Sequence, residues 1–239
     1  MSQKLVLRIS AVVSAISGAV ILFTTIYPIV SYENKAAVKY PLLLNPVVES
    51  QTKGTNTQGE TQSSVDYTDP KNWFIGADYD ISLKPKVAYY NISIPKLDIN
   101  DATVEVGGED LGKSLIQYPG TAAIGKPGNA VIFGHSILPQ FYNPKSYLAI
   151  FSLLPTLEKG DDIEVKYDGV TYKYKVEAMF EVLPTDLQVL DQQTDSSYLT
   201  LVTCVPPGHP LKPRRLIVRA KIISYNKGLE LPNNENTGN

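Results

Sequence analysis

Hydrophobic and polar positions divide the chain into three zones of different period. From Ile9 to Ser31 there is no charged residue, and Ile, Val, Leu and Ala dominate. At about 1.5 Å of rise per residue, such a run wound as a helix is long enough to cross a hydrocarbon core of ~30 Å. Lys4 and Arg8 precede the run and Glu33 follows it. The bias of basic residues to the inner side therefore predicts a cytoplasmic tail at 1–8, a transmembrane helix at 9–31 and an extracellular remainder. Pro28 near the outer end is compatible with a membrane helix and marks a kink there. A cleaved signal peptide is the competing reading. The run exceeds a signal core of about 7–15 residues, however, and no small-x-small cleavage site follows it. No second apolar run of membrane length recurs, so the expectation is a single-pass cell-membrane protein with its N-terminus in the cytoplasm.

The second zone, 32–72, is expected to be a flexible extracellular linker. Its centre, Gln51 to Glu60, has no aliphatic or aromatic side chain and cannot bury enough surface to offset the entropy of ordering. The third zone, 73–225, alternates short apolar runs with Pro, Gly, Asn and Asp. Strands are predicted at Lys86–Ile94, Asn129–His135, Ile163–Tyr167, Thr171–Phe180, Tyr198–Cys204 and Arg215–Ile223, with Asp168-Gly169 as the turn of a hairpin. Only Leu111–Ile116 and Tyr147–Glu158 look helical, the second broken at Pro155. The polar stretch 226–239 reads as a frayed tail. The fold class is mainly β: a closed or nearly closed barrel with one or two short helices, preceded by one transmembrane helix.

Composition narrows the function classes. Apolar residues make up 43% of the chain and charged residues 19%, which gives enough apolar surface for a core. A formal net charge of −2 argues against nucleic acid as a partner, since that would call for a basic stripe. Cys204 is the only cysteine, so no disulfide can form within the chain.

Cys204 also carries the candidate chemistry. It closes the strand-like run Thr200-Leu201-Val202-Thr203-Cys204, while His135 ends another run after Gly134 and Arg215 begins a third. A thiol needs electropositive neighbours to become a thiolate, and histidine and arginine supply them. If the runs ending at Cys204 and beginning at Arg215 pair as neighbours, thiol and guanidinium share one rim of the barrel. The competing reading, a buried cysteine acting as a small hydrophobe, explains Cys204 alone but not the three residues together. Arg214 rivals Arg215, and because successive strand side chains alternate, only one of them faces the site. His209, in Pro206-Pro207-Gly208-His209-Pro210, lies in a loop over the expected cleft, where it either meets substrate or is simply solvated. No close ligand pair or Cys-x-x-Cys spacing supports a zinc site, and neither metal nor cofactor is expected.

Three strings, Ala130-Val131-Ile132-Phe133-Gly134-His135-Ser136, Thr200-Leu201-Val202-Thr203-Cys204 and Arg215-Leu216-Ile217-Val218-Arg219-Ala220, agree in order and spacing with the sortases. The chain from about Val87 to Ser224 thus resembles a membrane-anchored cysteine transpeptidase. The resemblance implies a sortase-like β-barrel with Cys204 as nucleophile, His135 as proton carrier and Arg215 as oxyanion clamp. Arg215 is preferred to Arg214 because Arg215 opens a string of the family's Arg-Leu-Leu-Val-Arg form. It further implies exported proteins bearing a C-terminal sorting signal, and a cell-surface amine acceptor, as partners. Thr203 beside the thiol is the candidate for positioning substrate, with His209 a second contact.

Pilus-building sortases carry a lid in which Asp-Pro is followed by an aromatic residue, and often a second membrane helix at the C-terminus. Here Asp69-Pro70 is followed by Lys71-Asn72, with Trp73 only later, and no second helix is found. An anchoring enzyme is therefore expected over a pilus polymerase. Glu105, Glu109 and Asp110 are similar to the acidic calcium site of some sortases but read more simply as solvated carboxylates. A papain-like protease would place cysteine before histidine, and an L,D-transpeptidase would place arginine where Pro206 stands. A membrane-anchored cysteine peptidase, or a surface barrel without activity, remains as an alternative.

Overall fold

A computed structural model describes residues 3–40, 66–80, 82 and 85–227. The tether at Gln51–Glu60 and the end of the polar tail lie outside the described residues. The helix α1 spans Gln3–Lys39 and contains the whole uncharged run. It is the one helix among the described residues long and apolar enough to cross a membrane. Eight strands follow: β1 (Tyr89–Ile94), β2 (Ile99–Val106), β3 (Leu115–Gln117), β4 (Gly128–Phe133), β5 (Asp162–Tyr167), β6 (Val170–Val182), β7 (Ser197–Val205) and β8 (Arg214–Lys227). They close into a barrel in the order β1-β2-β3-β4-β7-β8-β6-β5. Closure removes the open strand edges that a sheet would otherwise expose.

The local reasons are legible. Asp168 and Gly169 take φ of 50° and 73° between β5 and β6, the left-handed pair that a two-residue hairpin requires. All residues of β4 and β7 are buried, and both strands are uncharged and rich in apolar residues. Such strands are covered on both faces. Ala130, Ile132, Leu199, Leu201, Leu216 and Val218 face the barrel interior. Val131, Phe133, Val202, Cys204 and Ile217 point outward, under a second apolar cluster built with Trp73, Phe74, Val182 and Val189.

Three sequence expectations are corrected. Leu111–Ile116 is not a helix: its end becomes β3, which pairs in parallel with β2 and antiparallel with β4, so strand partners override a short helical pattern. Tyr147–Glu158 holds only a 3-10 turn at Leu154–Thr156. The linker is ordered at both described ends. Residues 32–39 continue α1, and Ala36 and Tyr40 are buried in the interior cluster, with the Tyr40 hydroxyl donating to the Pro155 carbonyl at 2.6 Å. Residues 66–79 form a strap over the outer cluster.

Candidate active site

The site is assembled on the outer face of β4, β7 and β8, where these strands end or begin, beneath the strap. Cys204 of β7 lies directly opposite Arg215 of β8, so their side chains leave the sheet on the same face. β4 runs parallel to β7 with Phe133 level with Val202, which carries His135 alongside Cys204. That turn is held tightly. Gly134 N–H donates to the Val202 carbonyl at 3.1 Å, and the Gly134 carbonyl accepts from the Thr203 hydroxyl at 2.8 Å. The Ser136 hydroxyl donates to the Cys204 carbonyl at 2.6 Å. A Cβ at Gly134 would sit 2.4 Å from Phe151 and 2.6 Å from Leu115, so only glycine fits before the histidine.

The strap closes over these side chains. Asp69 caps its single 3-10 turn by accepting from Lys71 N–H at 2.9 Å, and Pro70 occupies the first position of the turn. Trp73 is thereby carried inward, fully buried, to stack on Phe133 at 5.2 Å and lie 5.8 Å from the His135 ring. Arg215 Nε donates to the Trp73 carbonyl at 3.2 Å and its Nη1 to the Lys212 carbonyl at 2.8 Å. The guanidinium stands 5.6 Å from both the Tyr67 and the Trp73 ring centroids. Leu111 N–H bonded to the Thr68 carbonyl, and Ile75 N–H to the Pro184 carbonyl, tie the strap down on either side.

Cys204 is 2% exposed, His135 5% and Arg215 0%. Burial pushes the thiol up from its ordinary value, against the opposing pull of Arg215 and Lys212. Burial, and then Lys212, lower His135 to about 4. The covered site therefore holds a neutral thiol and a neutral imidazole. Two atoms mark what it lacks: His135 Nε2 and Arg215 Nη2 are buried with no hydrogen-bond partner among the described residues. Each keeps an unused hydrogen-bonding capacity inside the covered site.

Other candidates fall elsewhere. Arg214 leaves β8 on the opposite face, where its guanidinium pairs with Glu33 of α1 at 2.5 Å and with Glu181 at 2.6 Å. Thr203 is fully buried on the interior face, and its hydroxyl donates to the Gly134 carbonyl, which holds the turn before His135. His209 is half-buried, and its Nδ1 accepts from Leu211 N–H at 3.1 Å, shaping its own loop. Glu105, Glu109 and Asp110 are engaged separately by Tyr89, Lys71 and Lys113. Among the described residues no group of three or more His, Cys, Asp or Glu side chains is gathered to hold a metal.

Tyr67, Trp73 and Lys212 were missed by sequence reasoning. Asp69-Pro70 is a turn-start signature, and the turn it opens delivers Trp73 onto Phe133.

A family model described as the Sortase domain matches residues 92–223. The chain belongs to the sortase family, whose members are cysteine transpeptidases. Among solved structures, the pilus-related sortase C of Group B Streptococcus is 28% identical, with 62% of this chain and 73% of that one covered at a TM-score of 0.50. A sortase D5 transpeptidase of Clostridium perfringens is 26% identical over 59% of this chain and 82% of that one, TM-score 0.49. Sortase A of Corynebacterium diphtheriae is 29% identical over 63% and 65%, TM-score 0.49. No curated protein matches the chain.

Proposed function

We propose that this sortase cleaves the C-terminal sorting signal of exported proteins through a thioacyl intermediate on Cys204 and transfers the acyl group to a cell-surface amine. It is anchored by α1, with its N-terminus in the cytoplasm and its barrel outside. The observation that carries this reading is the placement of Cys204, His135 and Arg215 on one covered face, two of them with an unused donor or acceptor.

The strap lies where substrate must lie, so catalysis begins with its displacement by a peptide of the type Leu-Pro-any-Thr-Gly. His135, hydrated as the cover lifts, takes the thiol proton, and the Cys204 sulfur attacks the carbonyl carbon between Thr and Gly. Arg215, released from the Trp73 carbonyl, donates to the developing oxyanion together with backbone N–H groups. Collapse breaks the C–N bond while His135 returns the proton to the departing glycine amine. In the second half an acceptor amine attacks the thioester carbonyl and gives a proton to His135, the C–S bond breaks as the new amide forms, and His135 passes the proton to the Cys204 sulfur.

The test is direct. Full-length protein is incubated with sorting-signal peptides and a panel of amines, and ligated products are identified by mass spectrometry. New amide products absent from Cys204→Ala are expected; peptide turnover surviving Cys204→Ala would remove the assignment.

A further inference from the structure

Pro28 lies inside α1 and has no N–H, so the carbonyl of Thr24, four residues earlier, loses its intrahelical partner. In an apolar surround an orphaned carbonyl is costly. Here it is satisfied from outside the helix, because Gln140 Nε2 donates to Thr24 O at 2.9 Å. Gln140 sits in the 3-10 turn Pro139–Phe141, on the loop that leaves His135. Thr24 lies about 10 Å inward of Ser31 along the uncharged run, at 1.5 Å per residue. A barrel loop bonded there reaches the depth of roughly 5–10 Å at which interfacial segments insert.

The loop suits that depth. From Ser136 to Pro144 it carries no charge, and Lys145 follows, exposed and able to meet anionic headgroups. Phe141 is 62% exposed and Tyr27 of α1 is 57% exposed. The loop after Cys204 packs on the same element, since a Cβ at Gly208 would lie 2.5 Å from Leu138. Pro139, Pro207, Tyr27 and Pro28 line a shared cavity of about 480 Å³ between barrel and helix.

We infer that the Ser136–Pro144 loop is a membrane-contacting lip, latched to α1 by the Gln140 amide at the Pro28 break, with Phe141 in the outer leaflet of the bilayer that α1 crosses. It rests on the anchoring proposed above and adds an orientation: the loops that follow His135 and Cys204 face lipid, so the site receives peptides along the membrane surface.

The lone cysteine makes the test clean. In a full-length Cys204→Ala background, Phe141→Cys and, as a control on β8, Ile223→Cys are labelled with an environment-sensitive fluorophore and reconstituted into phosphatidylcholine/phosphatidylglycerol vesicles. Lipid bearing a nitroxide near the headgroup end of its acyl chain is then added. The label at 141 should lose at least half its intensity and the label at 223 little, and Gln140→Ala should reduce the quenching at 141 at least twofold. Equal quenching at 141 and 223 in protein that floats with vesicles overturns the lip alone. Failure to float overturns the anchoring beneath it. Unchanged quenching in Gln140→Ala overturns the latch. A label at 141 dimmed by protein density and not by nitroxide lipid would assign the surface to a second copy of the chain and overturn the proposal.

Discussion

The strap at 66–79 and the end of α1 at Tyr32–Lys39 both precede the barrel in sequence, and both grip β8, one on each face. The strap holds Arg215 through the Trp73 carbonyl and two aromatic rings. The helix holds Arg214 through Glu33, and through Glu181, which also accepts from the Tyr32 hydroxyl at 2.5 Å. The difference lies in what each contact competes with. The strap covers Cys204, His135 and Arg215, and the proposed mechanism requires substrate to displace it. The helix end holds Arg214 on the opposite face and need not move in the proposed mechanism. Adjacent arginines thus face opposite sides of β8, Arg215 in the proposed site and Arg214 in the attachment of α1.

The largest expected effect falls on the strap side. Cys204→Ala should abolish ligation and hydrolysis while leaving the fold intact, as read by product analysis and thermal unfolding. Arg215→Ala should lower kcat by roughly a hundredfold or more, the scale of losing one oxyanion donor. Lysine should rescue it poorly, lacking the planar fork. Arg214→Ala inverts the pattern: near-normal kcat, but about 2 kcal/mol or more lost in unfolding experiments, because Glu181 is left 5% exposed without its cation.

Trp73→Ala should open the cover. Alkylation of Cys204 at pH 7, slow in the covered protein, should rise about tenfold, since each 1.4 kcal/mol of closure released is a factor of ten. A rate unchanged from the parent would separate Trp73 from closure. Acid should act in the same direction. His135 ordinarily titrates at 6.5 but is held at about 4 in the fold. Its neutral burial is therefore unpenalised above pH 6.5, and stability falls as pH drops from 6.5 towards 4, because the unfolded chain binds the proton first. His135→Gln should flatten that part of the stability profile. The smallest effect is expected on the helix side, where Tyr32→Phe removes one hydrogen bond worth about 1 kcal/mol and leaves kcat alone.

Much of the barrel was legible because β4, β7 and β8 are apolar runs bounded by turn residues, and because Asp168-Gly169 names its own hairpin. That Cys204, His135 and Arg215 come together was legible for the same reason, because each stands where one of those runs ends or begins. Thr203 shows a rule available in sequence, since a residue adjacent to Cys204 on a strand must point to the other face. Leu111–Ile116 was misread because its strand partners are remote in sequence. The strap escaped notice because nothing local says that Trp73 will stack on Phe133, sixty residues away.

The proposed reaction turns on a covalent bond to one sulfur. The measurement that reaches it most directly is the intact mass of full-length protein quenched in acid within seconds of mixing with a sorting-signal peptide and no amine. The prediction is a mass increase equal to the peptide up to its threonine, located on Cys204 and discharged when an amine acceptor is added before the quench. Rapid peptide cleavage without any such adduct, or the same adduct in Cys204→Ala, would contradict it.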